Sequence, residues 1–567
     1  MERLKKLINN QRVSGYIIPK NDEYFNEYIH ESKDRLKFIS NFSGSAGFSV
    51  ILKNKNYLFV DGRYTIQAEK QAGKKFKIIT IPKKLPKDVL KFKKKITLGF
   101  DPKLQTQKQL NYFFKIKNVD LKPINFNLVD SLWLKKPREK LKKFFFLSDK
   151  ISGMNSKKKI FKLKKFLVQN KCDYLFVSAP ENVAWILNIR GYDSSYSPTT
   201  NARLFIDKEG RLDLFANPQK LSSIKNILSK KAFLHKESKL DEFASKISNK
   251  IIWLDSQSCS IYYKNILKKK NKTIEKIDPT YFLKAIKNKT EIKNTKKSHL
   301  IDGVALTKFI LWLKKNFKKR KITEISAQNK LESFRKKNVS YKYPSFSTIS
   351  GSGPNSAIIH YKASLKTNRV LKSDELYLVD SGGQYLFGTT DVTRTISLDN
   401  KSKFVKNVFT RVLKGHIAVS NSKINKNTTG NQIDQNARKF LKEINLDYPH
   451  GTGHGVGYFS NVHEGPHSIS KNSKIPLKNG LILSNEPGYY KENYFGIRIE
   501  NLIYINRNKF EELTIAPIEK DLINKEILSS DELKWLNNYH KKVKKKLSKY
   551  ITQREKEDFY NACLPIK

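Results

Sequence analysis

The stretch His450-Gly451-Thr452-Gly453-His454-Gly455-Val456-Gly457, closed by Asn461-Val462-His463-Glu464-Gly465-Pro466, threads three histidines between glycines within fourteen residues. Glycines so placed let a backbone run close to an ion, a ligand or another strand. The chain holds ten histidines in 567 residues, against 111 lysines and arginines, and a packed core has no use for such a cluster. The histidines mark a site, and the rest of it has to be sought among carboxylates elsewhere.

Leu376-Tyr377-Leu378-Val379-Asp380-Ser381-Gly382-Gly383 reads as a buried strand ending in a turn, and Thr389-Thr390-Asp391-Val392-Thr393-Arg394-Thr395-Ile396-Ser397 as the returning strand. Period-two alternation puts Leu376, Leu378 and Asp380 on one face, and Asp391, Thr393 and Thr395 on one face of the other. A hairpin would bring Asp380 and Asp391 together, where they repel unless a proton or a cation lies between them. Alternatively, each aspartate simply caps a turn. Glu486 ends the apolar strand Leu481-Ile482-Leu483-Ser484-Asn485-Glu486 before Pro487, and Glu500 lies in Gly496-Ile497-Arg498-Ile499-Glu500-Asn501. Charged residues in buried strands are costly unless paired or metal-bound. An Arg498–Glu500 salt bridge is the simpler explanation, but it leaves Glu486 without a partner. Two Asp, two Glu and one His make an oxygen-rich set with one nitrogen, suited to a pair of Mn, Co, Fe or Zn ions rather than to thiolate chemistry.

Length predicts two to four domains. The formal net charge of +59 invites a nucleic-acid reading, yet the lysines are spread over every region in short runs such as Lys268–Lys270 and Lys544–Lys546. Specific nucleic-acid binding is therefore not expected. Cys172, Cys259 and Cys563 form no CxxC pair or disulfide framework, which fits a reducing cytoplasm. The N-terminus leads into no apolar h-region, and no run of about 18 apolar residues occurs, so neither secretion nor membrane spanning is expected.

Short apolar strands at Tyr16–Pro19 and Tyr57–Asp61, with a helix opening at Tyr64–Gln71, give a first α/β domain over 1–150. A second unit of similar size and alternation, 151–290, starts near Ser152 and contains a helix around Lys159–Gln169 and the strand Tyr174–Ser178. No sequence repeat links the two, yet their alternation makes them candidate structural cousins. Lys-rich residues Asn288–Lys297 mark the next boundary. An amphipathic helix with Ile301, Val304, Ala305, Phe309 and Trp312 on one face then opens a strand- and glycine-rich domain over 291–508. The tail, 509–567, ends in a charged helical segment with Trp535-Leu536-Asn537-Asn538-Tyr539-His540.

These motifs, with Phe42-Ser43-Gly44-Ser45-Ala46-Gly47, Asp61-Gly62-Arg63-Tyr64, Ala357-Ile358-Ile359-His360-Tyr361 and Glu486-Pro487-Gly488-Tyr489-Tyr490, resemble the M24 metallopeptidases of the creatinase, or pita-bread, fold. Within that family the chain is most similar to the long, three-domain Xaa-Pro aminopeptidases of the cytosol, and the resemblance spans nearly its whole length. It implies two N-terminal creatinase-type α/β domains, a pita-bread catalytic domain and a short C-terminal extension, in an α/β (α+β) chain. It implies Asp380, Asp391, His454, Glu486 and Glu500 as ligands of two divalent ions, usually manganese with cobalt, zinc or iron as alternatives, Asp391 and Glu500 bridging them. His360, His450 and His463 would line the substrate site, with Arg63, Tyr490 and Arg498 as further substrate contacts. A homodimer and a cytoplasmic location follow from the same resemblance.

A water activated between two divalent ions would attack the carbonyl of the first residue of a peptide whose second residue is proline. Glu486 would handle its proton, His360 would supply one to the departing proline nitrogen, and His450 or His463 would stabilise the oxyanion. Two alternatives remain: a prolidase-like dipeptidase on the same fold, and a non-catalytic M24-like binding module. Arg498 could also act by orienting Glu500.

Overall fold

A computed structural model describes residues 1–399 and 401–567. The chain divides into two compact units, Met1–Asp149 with Met154–Phe282, and Lys150–Gly153 with Leu283–Lys567. The chain is a mixed α/β protein, and among its described residues no helix is long and apolar enough to cross a membrane.

The first unit contains two six-stranded sheets. Strands Gly15–Pro19, Phe48–Leu52, Asn56–Asp61, Lys77–Ile81, Ile96–Phe100 and Val119–Pro123, counted in chain order, lie side by side as 4-3-2-1-5-6. Strands Tyr174–Val177, Ala202–Asp207, Leu212–Ala216, Phe233–Lys236, Ile251–Leu254 and Lys272–Glu275 repeat that order. Strand directions agree as well. In both sheets strand 2 runs antiparallel to strands 1 and 3, while 3–4, 1–5 and 5–6 are parallel. The similar alternation in the sequence thus reflects one topology used twice.

The central strand Gly15–Pro19 is buried on both faces, which is why it reads as an unbroken apolar run and not as an alternation. Tyr16 and Ile18 pack with Leu4, Ile8 and Leu36, while Ile17 packs on the opposite face with Val50, Phe59 and Leu98. In the second sheet Phe176, Phe205, Phe215 and Ile252 fill the equivalent layer.

The second unit opens with the helix Lys289–Asn316, held at its start by a capping box between Asn288 and Glu291. The Lys-rich segment expected as a boundary is therefore the first turns of this helix. Its lysines point outward while Glu291, Thr295 and Ser298 are buried. Composition alone does not separate a charged helix start from a linker.

The strands behind the site form short sheets. Ile349–Ser352, Leu376–Ser381 and Val392–Ser397 make one, and Ile482–Asn485, Asn501–Asn506 and Lys509–Glu512 another. Leu376–Ser381 pairs antiparallel with Val392–Ser397, placing Asp380 opposite Thr393. The return differs from the expected simple hairpin. Between the two strands the chain makes a side excursion, Gly383–Tyr385 against Gly388–Thr389, so Thr389 belongs to a different sheet and Asp391 sits just before the returning strand. The C-terminal helix Ser530–Leu547 is part of this unit's core. Its Leu536, Val543 and Leu547 share one apolar cluster with Val408, Val412 and Ile417 of the helix Lys403–Ser420 and with Phe495 and Ile497.

Candidate metal centre

Asp380 ends one strand and Asp391 precedes its partner, so the turn chemistry between them brings both carboxylates to one end of the sheet. Glu486 and Glu500 arrive in the same way. Asn485 and Asn501 are cross-strand partners, and the next residue of one strand and the preceding residue of the other are the two glutamates. The glycine-threaded segment lies against this sheet. A Cβ on Gly453 would sit 1.9 Å from Ser484 O, and one on Gly455 would sit 2.1 Å from Glu464 O, so only glycine allows the approach.

His454 is held at its backbone by Ser484 Oγ, 2.9 Å from its N–H, and at its ring by a 3.0 Å bond from Nδ1 to Gly455 O. A carbonyl only accepts, so Nδ1 carries the proton and Nε2 presents its lone pair. Nε2 lies 3.5 Å from both Asp391 Oδ2 and Glu486 Oε1. Ligand atoms of Asp391, His454 and Glu500 all fall within 4.8 Å of one another.

Asp391 and Glu500 are held well above the ordinary carboxylate range, first by burial and then by the neighbouring carboxylates. Glu486 is raised as well, chiefly by burial. Among the described residues, the guanidinium that hydrogen-bonds to this group of four carboxylates is that of Arg498. Its Nη2 donates to Asp380 Oδ2 at 2.6 Å. The other Asp380 oxygen, Oδ1, is buried with no hydrogen-bond partner. Repelling carboxylates, an orphaned buried oxygen and an imidazole lone pair aimed among them are the donor set a pair of hard-to-borderline divalent cations requires.

Arg498 does not pair with Glu500, as the sequence had allowed. The strand carrying Arg498 ends at that residue and the next begins at Asn501, so Glu500 lies between strands, and Asp380, from the strand Leu376–Ser381 of another sheet, takes the guanidinium. Thr393 joins the two instead. Its hydroxyl accepts from Arg498 Nε at 3.1 Å and donates to Glu500 Oε2 at 2.7 Å. Ser484 plays a similar part for Glu486, donating to Oε1 at 3.0 Å. Neither hydroxyl was singled out in the sequence, although the shared face of Asp391, Thr393 and Thr395 was the available signal.

His450 is tied by Nδ1 to Gly451 O at 2.8 Å, and its Nε2 lies 2.8 Å from the Tyr490 hydroxyl. Arg498 Nη1 donates to the same hydroxyl at 2.6 Å. The neutral arrangement is thus a Tyr490 O–H donating to His450 while accepting from Arg498, and burial drives the Tyr490 pKa up. The His463 ring meets that of His454 edge-on at 4.3 Å. His360 follows Ile359, whose carbonyl oxygen lies 3.5 Å from Arg498 Nη2. Arg63 belongs to the first unit, where it forms a two-pronged ion pair with Asp61 at 2.9 and 2.7 Å.

A buried ion pair beneath this loop had no sequence signal. Lys287 Nζ lies 2.5 Å from Glu464 Oε1, and Lys284 Nζ lies 3.6 Å from Oε2. The Glu464 N–H donates to Gly455 O at 2.7 Å, so the pair anchors the loop that carries His463.

Tandem α/β domains followed by a buried carboxylate–imidazole cluster define a multidomain metallohydrolase. The chain belongs to metallopeptidase family M24. Residues 293–507 match that family, residues 1–127 and 135–291 match creatinase/prolidase N-terminal domains, and residues 507–566 match the C-terminal region of peptidase M24. It is 36% identical over 605 residues to the probable Xaa-Pro aminopeptidase P of Laccaria bicolor, covering 100% of this chain and 93% of the relative. It is also 36% identical to Xaa-Pro aminopeptidase 1 of Dictyostelium discoideum, over 99% and 95% of the two chains. Among solved structures, the X-prolyl aminopeptidase of Caenorhabditis elegans, described as a cytosolic enzyme with a di-nuclear active site, superposes with a TM-score of 0.93 at 30% identity, covering 100% of this chain and 99% of that one. The prolidase of Pyrococcus furiosus matches with a TM-score of 0.51 at 25% identity and covers 62% of this chain.

Proposed function

We propose that this protein is an Xaa-Pro aminopeptidase, removing the first residue from peptides whose second residue is proline. The observation that carries this reading is the full-length architecture: two creatinase-type sheets in tandem precede the carboxylate cluster, as in the full-length aminopeptidase relatives. The prolidase match extends over less than two thirds of the chain.

Asp380, Asp391, His454, Glu486 and Glu500 would hold two divalent ions. Manganese is the proposed metal. Bound there, such ions polarise a peptide carbonyl and lower the pKa of water toward neutrality. The protein's own residues supply the remaining steps. The Glu486 side chain is 18% exposed, against 5% for Asp391 and 10% for Asp380. We assign Glu486 to take the proton of the attacking water. An amide nitrogen of proline carries no hydrogen and leaves only when protonated, a role we assign to His360. His463, beside His454, is the proposed oxyanion donor, and His450, with both ring nitrogens engaged by Gly451 O and the Tyr490 hydroxyl, would line the substrate site. Tyr490 and Arg498 align His450 and Asp380, and Arg63 is the proposed substrate contact from the N-terminal domain. A homodimer and a cytoplasmic location belong to the same proposal. Three buried, unpaired cysteines and the cytosolic description of the Caenorhabditis enzyme support the location.

Purified protein with added Mn²⁺ is expected to release arginine from Arg-Pro-Pro. Cleavage of Gly-Pro alone would transfer the assignment to a dipeptidase. Cleavage of neither, with Asp380→Ala indistinguishable from the parent protein, would favour a binding module.

A further inference from the structure

The segment Trp535–His540 takes no part in the chemistry above, yet it connects to the site. Trp535 and Tyr539 stack one turn apart on the C-terminal helix, ring centroids 5.4 Å apart. The Tyr539 hydroxyl donates to Ala516 O at 2.8 Å and accepts from Arg394 Nη2 at 3.0 Å. Arg394 is 1% exposed, and its other acceptors are four backbone carbonyls, of Pro517, Thr393, Glu500 and Ala516, and Asn501 Oδ1. All of these are neutral. A buried guanidinium with no carboxylate in contact is costly and adds little by charge pairing. What its rigid planar fork does is fix positions, here the carbonyl of Glu500 at 2.7 Å and the side chain of Asn501 at 2.9 Å.

The polar chain continues from there beneath the sheet. Asn501 Nδ2 donates to Glu512 Oε2 at 2.6 Å, and Ser420 Oγ donates to Glu512 Oε1 at 2.6 Å. Asn485 Nδ2 donates to Ser420 Oγ at 3.1 Å. Asn485 and Asn501 directly adjoin Glu486 and Glu500, and they face each other across the strand ladder. A single buried network therefore begins on the C-terminal helix and ends on the Glu500 carbonyl and on Asn501 and Asn485, the residues next to the two glutamates.

We propose that the chain Tyr539–Arg394–Asn501–Glu512–Ser420–Asn485 positions Glu486 and Glu500, so that the C-terminal helix sets the ion affinity of the metal centre. The inference rests on the ligand assignment proposed above. The six are positioning residues acting through the two glutamates. Tyr539→Phe deletes one hydroxyl and keeps the ring stack. Glu512→Gln keeps the shape but sets an amide N–H₂ against one of its two present donors. Val543→Ala, on the same helix and in the same apolar cluster but contributing no polar group to the network, is the control for loss of stability alone.

Full-length protein, freed of metal by chelation, is titrated calorimetrically with Mn²⁺, and its Co²⁺ form is followed by visible absorption. The parent protein is expected to take two ions. Tyr539→Phe and Glu512→Gln are expected to weaken at least one step by about tenfold or more, the range seen when groups behind metal ligands are removed, and to shift the Co²⁺ bands. Val543→Ala is expected to lower the melting temperature and leave both affinities and bands unchanged. Unchanged affinities and spectra in both network variants would overturn the inference, as would equal weakening in Val543→Ala. A parent protein binding fewer than two ions would instead overturn the dinuclear reading beneath it.

Discussion

Replacing Lys287 with methionine tests how the His463 loop is held. The Lys287 and Glu464 side chains are 1% and 3% exposed and meet at 2.5 Å, so methionine keeps the packing but leaves a buried carboxylate short of its main partner. Removing one member of a buried pair costs about 3–5 kcal/mol. Lys284 remains 3.6 Å from the other Glu464 oxygen, which places the loss at the lower end, about 3 kcal/mol. At about 2.1 cal/mol/K per residue, a unit of about 290 residues unfolds with about 0.6 kcal/mol/K, so this corresponds to about 5 °C in melting temperature. Differential scanning calorimetry should be read on the transition that moves upward with added Mn²⁺, since ion binding identifies the catalytic unit. Glu464→Gln in the Lys287→Met background removes the stranded charge and is expected to recover at least half of the loss, giving a measurable coupling energy. A single-variant shift below about 2 °C, with no recovery in the double variant, would refute the claim that this pair anchors the loop, because an uncompensated buried charge costs more than that.

Three further outcomes follow from other contacts. Thr393→Val removes the hydroxyl between Arg498 and Glu500 without changing shape, and calorimetric titration should show Mn²⁺ affinity lowered about 10–100-fold. Glu486→Gln should lower kcat on Arg-Pro-Pro by about 10²–10⁴-fold, the usual range for a lost acid–base group; metal analysis then separates lost chemistry from lost ions. His540 is fully buried, and its Nε2 accepts from Ile518 N, so burial and nearby cations push its pKa down to about 4. The unfolded chain takes that proton near the ordinary value of 6.5. Stability present above that value is therefore lost as pH falls toward 4, by about 3 kcal/mol. Melting curves of His540→Gln should show a flatter pH dependence across that window.

Asp380 and Glu486 could be read because each follows an apolar run, where an unpaired charge is costly, His454 because glycines surround it, and Asp391 and Glu500 because they stand beside apolar strands, and the folded chain brings the five to one place. Their supports could not be read in the same way. The Arg498–Asp380 pair joins segments 118 residues apart, and the register that sets their meeting is not written in either strand. Glu464 looks like one more loop carboxylate, and its partner Lys287 is one of so many lysines that none stands out. Thr389 reads as the start of a returning strand because its residue type favours strands, but the glycines at 382, 383 and 388 allow a side excursion that takes it into another sheet. In the N-terminal unit, alternation revealed two α/β domains. Their common strand order rests on long-range pairings that periodicity does not encode.

That repeated strand order has a consequence for how the first unit forms. Each sheet contains one true hairpin, Phe48–Leu52 with Asn56–Asp61 and Ala202–Asp207 with Leu212–Ala216, closed by short loops. The central strand of each sheet, Gly15–Pro19 or Tyr174–Val177, is made earlier but reaches its neighbours only across tens of residues. Loop-closure entropy makes the hairpins the cheapest contacts and the parallel pairings the dearest. In both domains, synthesis therefore releases the middle of the sheet first and the segment easiest to assemble second. The first-made strand has to wait, solvated and apolar, until the hairpin offers it an edge.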